Sequence, residues 1–165
     1  MTNEVLSQLR KTPTLAARLV AEASEEQLDA SVGDGWSARV ILAHLRDIEF
    51  LEMRMLLERM LGEDEPVLTF LDSEQWQATR NRTRDDKRQI LGDFALQRQA
   101  TMGILDALRP EDWQRTATGG DGGTITVEQL VDGWIEHDQG HIRQMEEALG
   151  STLADFDERW STAGR

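Results

Sequence analysis

Three histidines are the whole imidazole inventory of this 165-residue chain, which contains no cysteine. His137 and His141 stand four residues apart in a segment with helical apolar spacing, so both rings leave one face with Cβ atoms roughly 6 Å apart. Two ring nitrogens one turn apart can close on a single divalent ion, although the same spacing occurs on helices that bind nothing. His44 lies in an apolar helical stretch, close in angle to Val40, Ile48, Leu51 and Met55. Taken alone it reads as a core histidine bonded to a carbonyl or to Asp47, because burying it unsatisfied costs roughly 1–3 kcal/mol. Taken with the other two, it completes a set of three neutral imidazoles of the kind that suits zinc, nickel, iron or cobalt, with manganese a further option. Three protein ligands leave a coordination position open, which is the layout of a catalytic centre. A closed structural site would need a fourth soft donor, and the chain has no further imidazole or thiolate.

Acid and base groups near these histidines are Asp47, Glu49 and Asp138, candidates only by proximity along the helices. Asp138 falls in the middle of the stripe formed by Val127, Val131, Trp134, His141, Ile142 and Met145, and a carboxylate aimed at a core needs a reason. It could orient a ligating histidine, pair with an arginine of another helix, or sit on a rotated, solvated face. Gly133 and Gly140 in the same segment cost about 1 kcal/mol each relative to alanine, which close approach of another helix or room for a ligand would repay.

These side chains need long helices to carry them. Apolar spacing is helical along most of the chain, and no segment alternates convincingly over strand length. A first helix carries Val5, Leu9, Leu15, Leu19 and Val20, with Pro13 kinking it or opening its second part. Ser24 to Gln27 has the form of a capping box, and Gly33 and Gly35 break the chain. Ser37 is the expected N-cap of a second helix to about Leu61, stopped by Gly62 and Pro66. A third is expected from about Asp85 to Leu108, and a fourth from the capping box at Thr126 to Leu149, with Gly150 at its C′ position. The fold class that follows is all-α, a four-helix bundle over residues 1–150, with residues 151–165 as a tail, docked through Phe156 and Trp160 or loose.

The second helix is apolar around most of its circumference, through Ile41, Leu42, Leu45, Phe50, Leu51, Met53, Met55, Leu56 and Leu57. Such a helix must be covered on more than one side, which predicts a homodimer or, alternatively, cover by the tail around Trp160.

Composition narrows the functional classes. Eighteen basic against 31 acidic residues give a formal charge of −13, which repels phosphate backbones and anionic lipid. The basic cluster Arg80, Arg82, Arg84, Lys87 and Arg88 is interrupted by Asp85 and Asp86 and reads as a solvated helix start. No apolar run approaches the roughly 20 residues of a membrane span, and the N-terminus lacks a signal-peptide layout. A soluble, cytoplasmic protein that binds neither nucleic acid nor membrane is the expectation.

The segment Gly35-Trp-Ser-Ala-Arg-Val-Ile-Leu-Ala-His-Leu45 resembles the second-helix signature of the DinB-like (DinB/YfiT) metalloenzyme superfamily. Thr126-Val-Glu-Gln-Leu130 followed by His137-Asp-Gln-Gly-His141 resembles its fourth-helix signature. Leu9-Arg-Lys-Thr-Pro13 and Arg109-Pro-Glu-Asp-Trp113 are in keeping with it. The resemblance implies an antiparallel, commonly dimeric four-helix bundle whose divalent metal ligands are His44, His137 and His141. Members include transferases and isomerases that use a low-molecular-weight thiol, such as mycothiol, bacillithiol or glutathione, and proposed metal-dependent hydrolases. No motif here selects a branch.

Two readings of function follow. In the first, the protein is a metal-dependent enzyme in which the ion acidifies a bound water or a small thiol, since the chain has no thiol of its own. In the second, it is a non-catalytic dimeric bundle that binds metal, a small hydrophobe or another protein, a use that Met53, Met55 and Met60 would also fit.

Overall fold

The computed structural model describes residues 3–33 and 35–155. Helix α1 spans Asn3–Val20, α2 Glu25–Asp29, α3 Ala38–Ile48, α4 Met55–Gly62, α5 Ser73–Thr79, α6 Lys87–Asp106 and α7 Val127–Leu149. A π-helical turn, Glu49–Arg54, joins α3 to α4, so that the second long helix runs unbroken from Ala38 to Gly62. The expected all-α four-helix bundle is therefore present. Phe156 and Trp160, through which the tail was expected to dock, lie outside the described residues.

Local chemistry sets the ends of these helices. The Ser24 and Thr126 capping boxes both form, each side chain accepting the N3 amide while Gln27 or Gln129 reaches back. The Ser37 hydroxyl accepts from Val40 N, and Asp86 caps α6 through the amides of Arg88 and Gln89. Gly150 ends α7 at φ 59°, a left-handed conformation that glycine adopts without a Cβ penalty.

Pro13 neither starts nor breaks α1, which continues through it. A proline nitrogen cannot donate to the carbonyl four residues back, so Leu9 O loses its helical partner. The Arg98 guanidinium supplies a replacement at 2.7 Å.

The bundle is not wired in sequence order. The main contacts join α1 to α6 and α7, and α3 to α6 and α7. The first and second long helices therefore face each other across one diagonal and the third and fourth across the other, while the second and third are neighbours. Lys87 bonds Val20 O while Arg98 bonds Leu9 O, so α1 and α6 run antiparallel. Arg39 reaches Asp85 O while Arg98 reaches Glu49, so α3 and α6 run parallel. The second helix ends at one end of the bundle and α6 starts at the other, and residues 63–86 must cross its whole length. Two core clusters fill the interior, one around Trp134, Leu56 and Met60, the other around Phe94, Leu42 and Met145.

Two expectations need correction. The chain does contain strands, a short hairpin pairing β1 (Thr116–Thr118) with β2 (Thr124–Thr126). Three residues per strand are too few for alternation to show. The glycines of α7 are not sites of close approach, because a Cβ at Gly133 or Gly140 would meet nothing within 4 Å.

Phe50, Leu51 and Met55 stay about half exposed on the second helix, and Val67, Phe70 and Leu71 of the crossover are exposed as well. No helix among the described residues is long and apolar enough to cross a membrane.

Candidate metal centre

The Ser37 cap starts the second helix in the register that turns His44 inward, and the Thr126 cap does the same for His137 and His141. Antiparallel packing of α3 on α7 then closes the three rings into one cluster, whose candidate ligand atoms all lie within 4.8 Å of one another. His44 Nε2 and His137 Nε2 face each other at 3.3 Å. Two nitrogens bound at about 2.0–2.1 Å to one tetrahedral ion stand roughly 3.3–3.4 Å apart, so this edge already has the span of a ligand pair. His141 Nδ1 donates to Gln144 Oε1 at 2.8 Å, which puts its proton on Nδ1 and leaves the Nε2 lone pair for the cluster.

Electrostatics favour neutral, ligating imidazoles. Burial first, then the neighbouring His141 and His137, push His44 down to about 3. Burial and His137 push His141 down to about 4. His44 Nδ1 and His137 Nδ1 are buried without a hydrogen-bond partner, so the alternative of a satisfied core histidine fails for His44. Donor chemistry, spacing and protonation state all fit a divalent ion.

Behind the rings lies a buried ionic core. Arg98 bonds Glu49 at 2.8 Å and Asp138 at 2.7 Å, while its guanidinium also lies over the rings of Phe94 and Trp134. With the bond to Leu9 O, one side chain ties all four long helices together. Asp138 thus takes the arginine partner that was one of its options. It also stands behind His137, its Oδ1 3.5 Å from His137 Nδ1. Desolvation opposes its charge, but Arg98 and His137 hold the Asp138 carboxyl below its usual range. Burial pushes Glu49 up against the pull of Arg98.

Asp47 points elsewhere. It accepts from Trp76 Nε1 at 3.1 Å and from Arg46 at 2.7 Å. It thereby holds the Trp76 indole edge-on to His44, with 4.8 Å between ring centroids. Trp36 packs against His44 beside Trp76, with centroids 4.9 Å from the imidazole and 5.6 Å from the second indole, and lies parallel to His141. A pocket of about 430 Å³ opens at His141, walled by Trp36, Ile41, Val32 and Ala148, with Gln144 and Glu147 on its rim.

Sequence reasoning missed two charged residues. Arg98 sits on the inward stripe of Ile90, Phe94, Met102 and Leu105, and that position in a polar stretch was the available signal. Glu52 is buried in the π turn, where it accepts the Leu71 amide of the crossover. Burial raises its carboxyl, opposed by the Leu71 bond and by His137. Nothing local marks Glu52, because its partner comes from the crossover.

Three residues of the basic cluster, Arg80, Arg84 and Lys87, are spent on structure. Arg80 and Arg46 converge on Asp85, Arg84 pairs with Asp93, and Lys87 caps the carbonyls of Val20 and Ala23.

Fold and site together define a four-helix bundle with a three-histidine cluster between its second and fourth helices. The family model of the DinB superfamily matches residues 8–145, and the chain belongs to that superfamily. Among solved structures it is similar to YfiT from Bacillus subtilis, described as having an unusual four-helix bundle topology. The TM-score is 0.81 and the identity 20%, over 92% of this chain and 91% of that one. A search of curated proteins found no match.

Proposed function

We propose that this protein is a metal-dependent hydrolase whose divalent ion, zinc or nickel, is held by His44, His137 and His141. The observation that carries the reading is the convergence of three imidazoles at ligand spacing, with His141 on the wall of a pocket. YfiT, which shares the fold, is described as a probable metal-dependent hydrolase, and this supports the reading. When bound, the ion supplies Lewis acidity at an open position.

The chain's own groups do the rest. Gln144 fixes the His141 tautomer, and Asp138, anchored by Arg98, backs His137. Trp36 and Trp76 enclose His44 and keep bulk water from that side. Asp47, Glu49 and Asp138 are each committed to a structural partner, which leaves none of the three free as a general base.

A thiol-dependent transferase would use the same site with an external low-molecular-weight thiol as nucleophile, since the chain has no cysteine. The two are separated by assaying the metal-loaded protein on ester and amide panels with and without added thiol. Turnover without thiol supports the hydrolase. Turnover that requires thiol replaces it with the transferase, and metal binding without any turnover replaces both with a binding bundle. The apolar face at Phe50, Leu51 and Met55 supports a homodimer formed over it.

A further inference from the structure

Pocket chemistry narrows what can enter beside His141. Its walls are apolar, formed by Trp36, Ile41, Val32 and Ala148, and among the described residues its lining contains no lysine or arginine. Among those residues Glu147 supplies the single formal charge of the lining. Among the described residues no ion pair reaches the Glu147 side chain, while Arg10, Arg39, Arg46, Arg59, Arg80, Arg84, Arg98 and Arg109 all have acidic partners. In a chain of this composition an unpaired acid is ordinary on open surface. On the rim of an aromatic-walled pocket it becomes a recognition element. The indole of Trp36 adds the face on which a cation is best held, because tryptophan has the strongest ring quadrupole of the aromatic side chains. The field of a protein carrying −13 charges works in the same direction, drawing cations towards a concave, low-dielectric wall and repelling anions.

We propose that this pocket binds a small organic cation, with an ammonium group held by Glu147 and Trp36 and an apolar body lying against Ile41, Val32 and Ala148. The proposal deepens the metal-dependent reading, since it gives the substrate of the His44, His137 and His141 centre a positively charged end. It also disfavours carboxylate-bearing partners, which would meet Glu147 as a like charge.

The test uses three probes of one shape, namely benzylammonium, benzyl alcohol and benzoate, titrated against the full chain by indole fluorescence and by ring-proton NMR. Chelator-treated protein is used first, so that no probe gains by binding a metal. Benzylammonium is expected to bind about five- to tenfold tighter than benzyl alcohol, an advantage that added salt reduces, with benzoate weakest. Glu147→Gln is expected to remove most of the benzylammonium advantage while leaving benzyl alcohol unchanged, the remainder being the share of Trp36. Equal binding of ammonium and alcohol, tighter binding of benzoate, or a preference that Glu147→Gln leaves undiminished overturns the proposal. A parallel metal analysis separates the two readings. If the protein binds no divalent ion yet prefers benzylammonium, the metal reading fails and the cation pocket stands. If it binds the ion and shows no preference, the reverse holds.

Discussion

Arg98 stands in for the backbone N–H that Pro13 does not have. The Leu9 carbonyl, left without a donor by the proline one turn on, receives Nη1 of Arg98 at 2.7 Å. The same guanidinium pairs with both Glu49 and Asp138. A proline inside the first helix, an arginine in the third and the carboxylate behind a candidate ligand in the fourth are thus one unit.

Replacing Arg98 by leucine should therefore cost about 3–5 kcal/mol, since it strands two buried carboxylates at once. Urea denaturation of the variant measures this. In a Pro13→Ala background the helix regains its own donor to Leu9 O, and the cost of Arg98→Leu should shrink by about 1 kcal/mol. Strict additivity of the two changes would count against the shared hydrogen bond.

Metal content is expected to follow the histidines. Wild-type protein, stripped and reloaded, should retain about one divalent ion per chain, and His137→Ala/His141→Ala should retain none by elemental analysis. Asp138→Asn should weaken the affinity roughly 10–100-fold without removing the site, because it loosens the group behind His137. Full retention in the double variant would end the metal reading.

Stability of the metal-free protein should depend on pH in a defined window. His44 and His141 are pushed down to about 3 and about 4, against 6.5 for an exposed imidazole. Between pH 4 and 6.5 the unfolded chain binds the protons that the folded one excludes, so stability is complete above 6.5 and falls as the pH drops. Each imidazole contributes a slope of about 1.4 kcal/mol per pH unit where its two states differ fully. Chemical denaturation of chelator-treated wild type and His141→Gln across this range should show a shallower slope in the variant. Identical slopes would contradict the burial of a neutral His141.

Phe50→Asp and Leu51→Lys should convert a dimer to a monomer by sedimentation velocity while leaving the far-UV spectrum unchanged, if two copies meet over the second helix. A wild-type monomer would remove that interface.

Gly133→Ala should stabilise the protein by about 1 kcal/mol, since α7 is helical there and an added Cβ meets nothing within 4 Å. A lowered denaturation midpoint would show that the glycine is needed for some contact.

What could be read from the sequence was local. Ser24, Ser37, Thr126 and Gly150 announce helix ends through bonds within four residues, and each forms as expected. His44, His137 and His141 were legible because nothing else in the composition competes with them. The diagonal arrangement of the bundle was not, since it depends on which faces meet between residues 40 to 93 positions apart. Arg98 went unread although it stands on an apolar stripe, and its link to the Leu9 carbonyl that Pro13 orphans is a packing event no local pattern records. Glu52 and Asp47 act through Leu71 and Trp76 of the crossover, whose path no periodicity records.

The separation of the histidines along the chain bears on synthesis. While the protein emerges from a ribosome, His44 is available early, but its two companions arrive only with the last helix, 93 residues after it. Within this sequence, no stretch that stops before α7 carries more than one imidazole. Metal loading at the proposed centre therefore has to wait until α7 has been made.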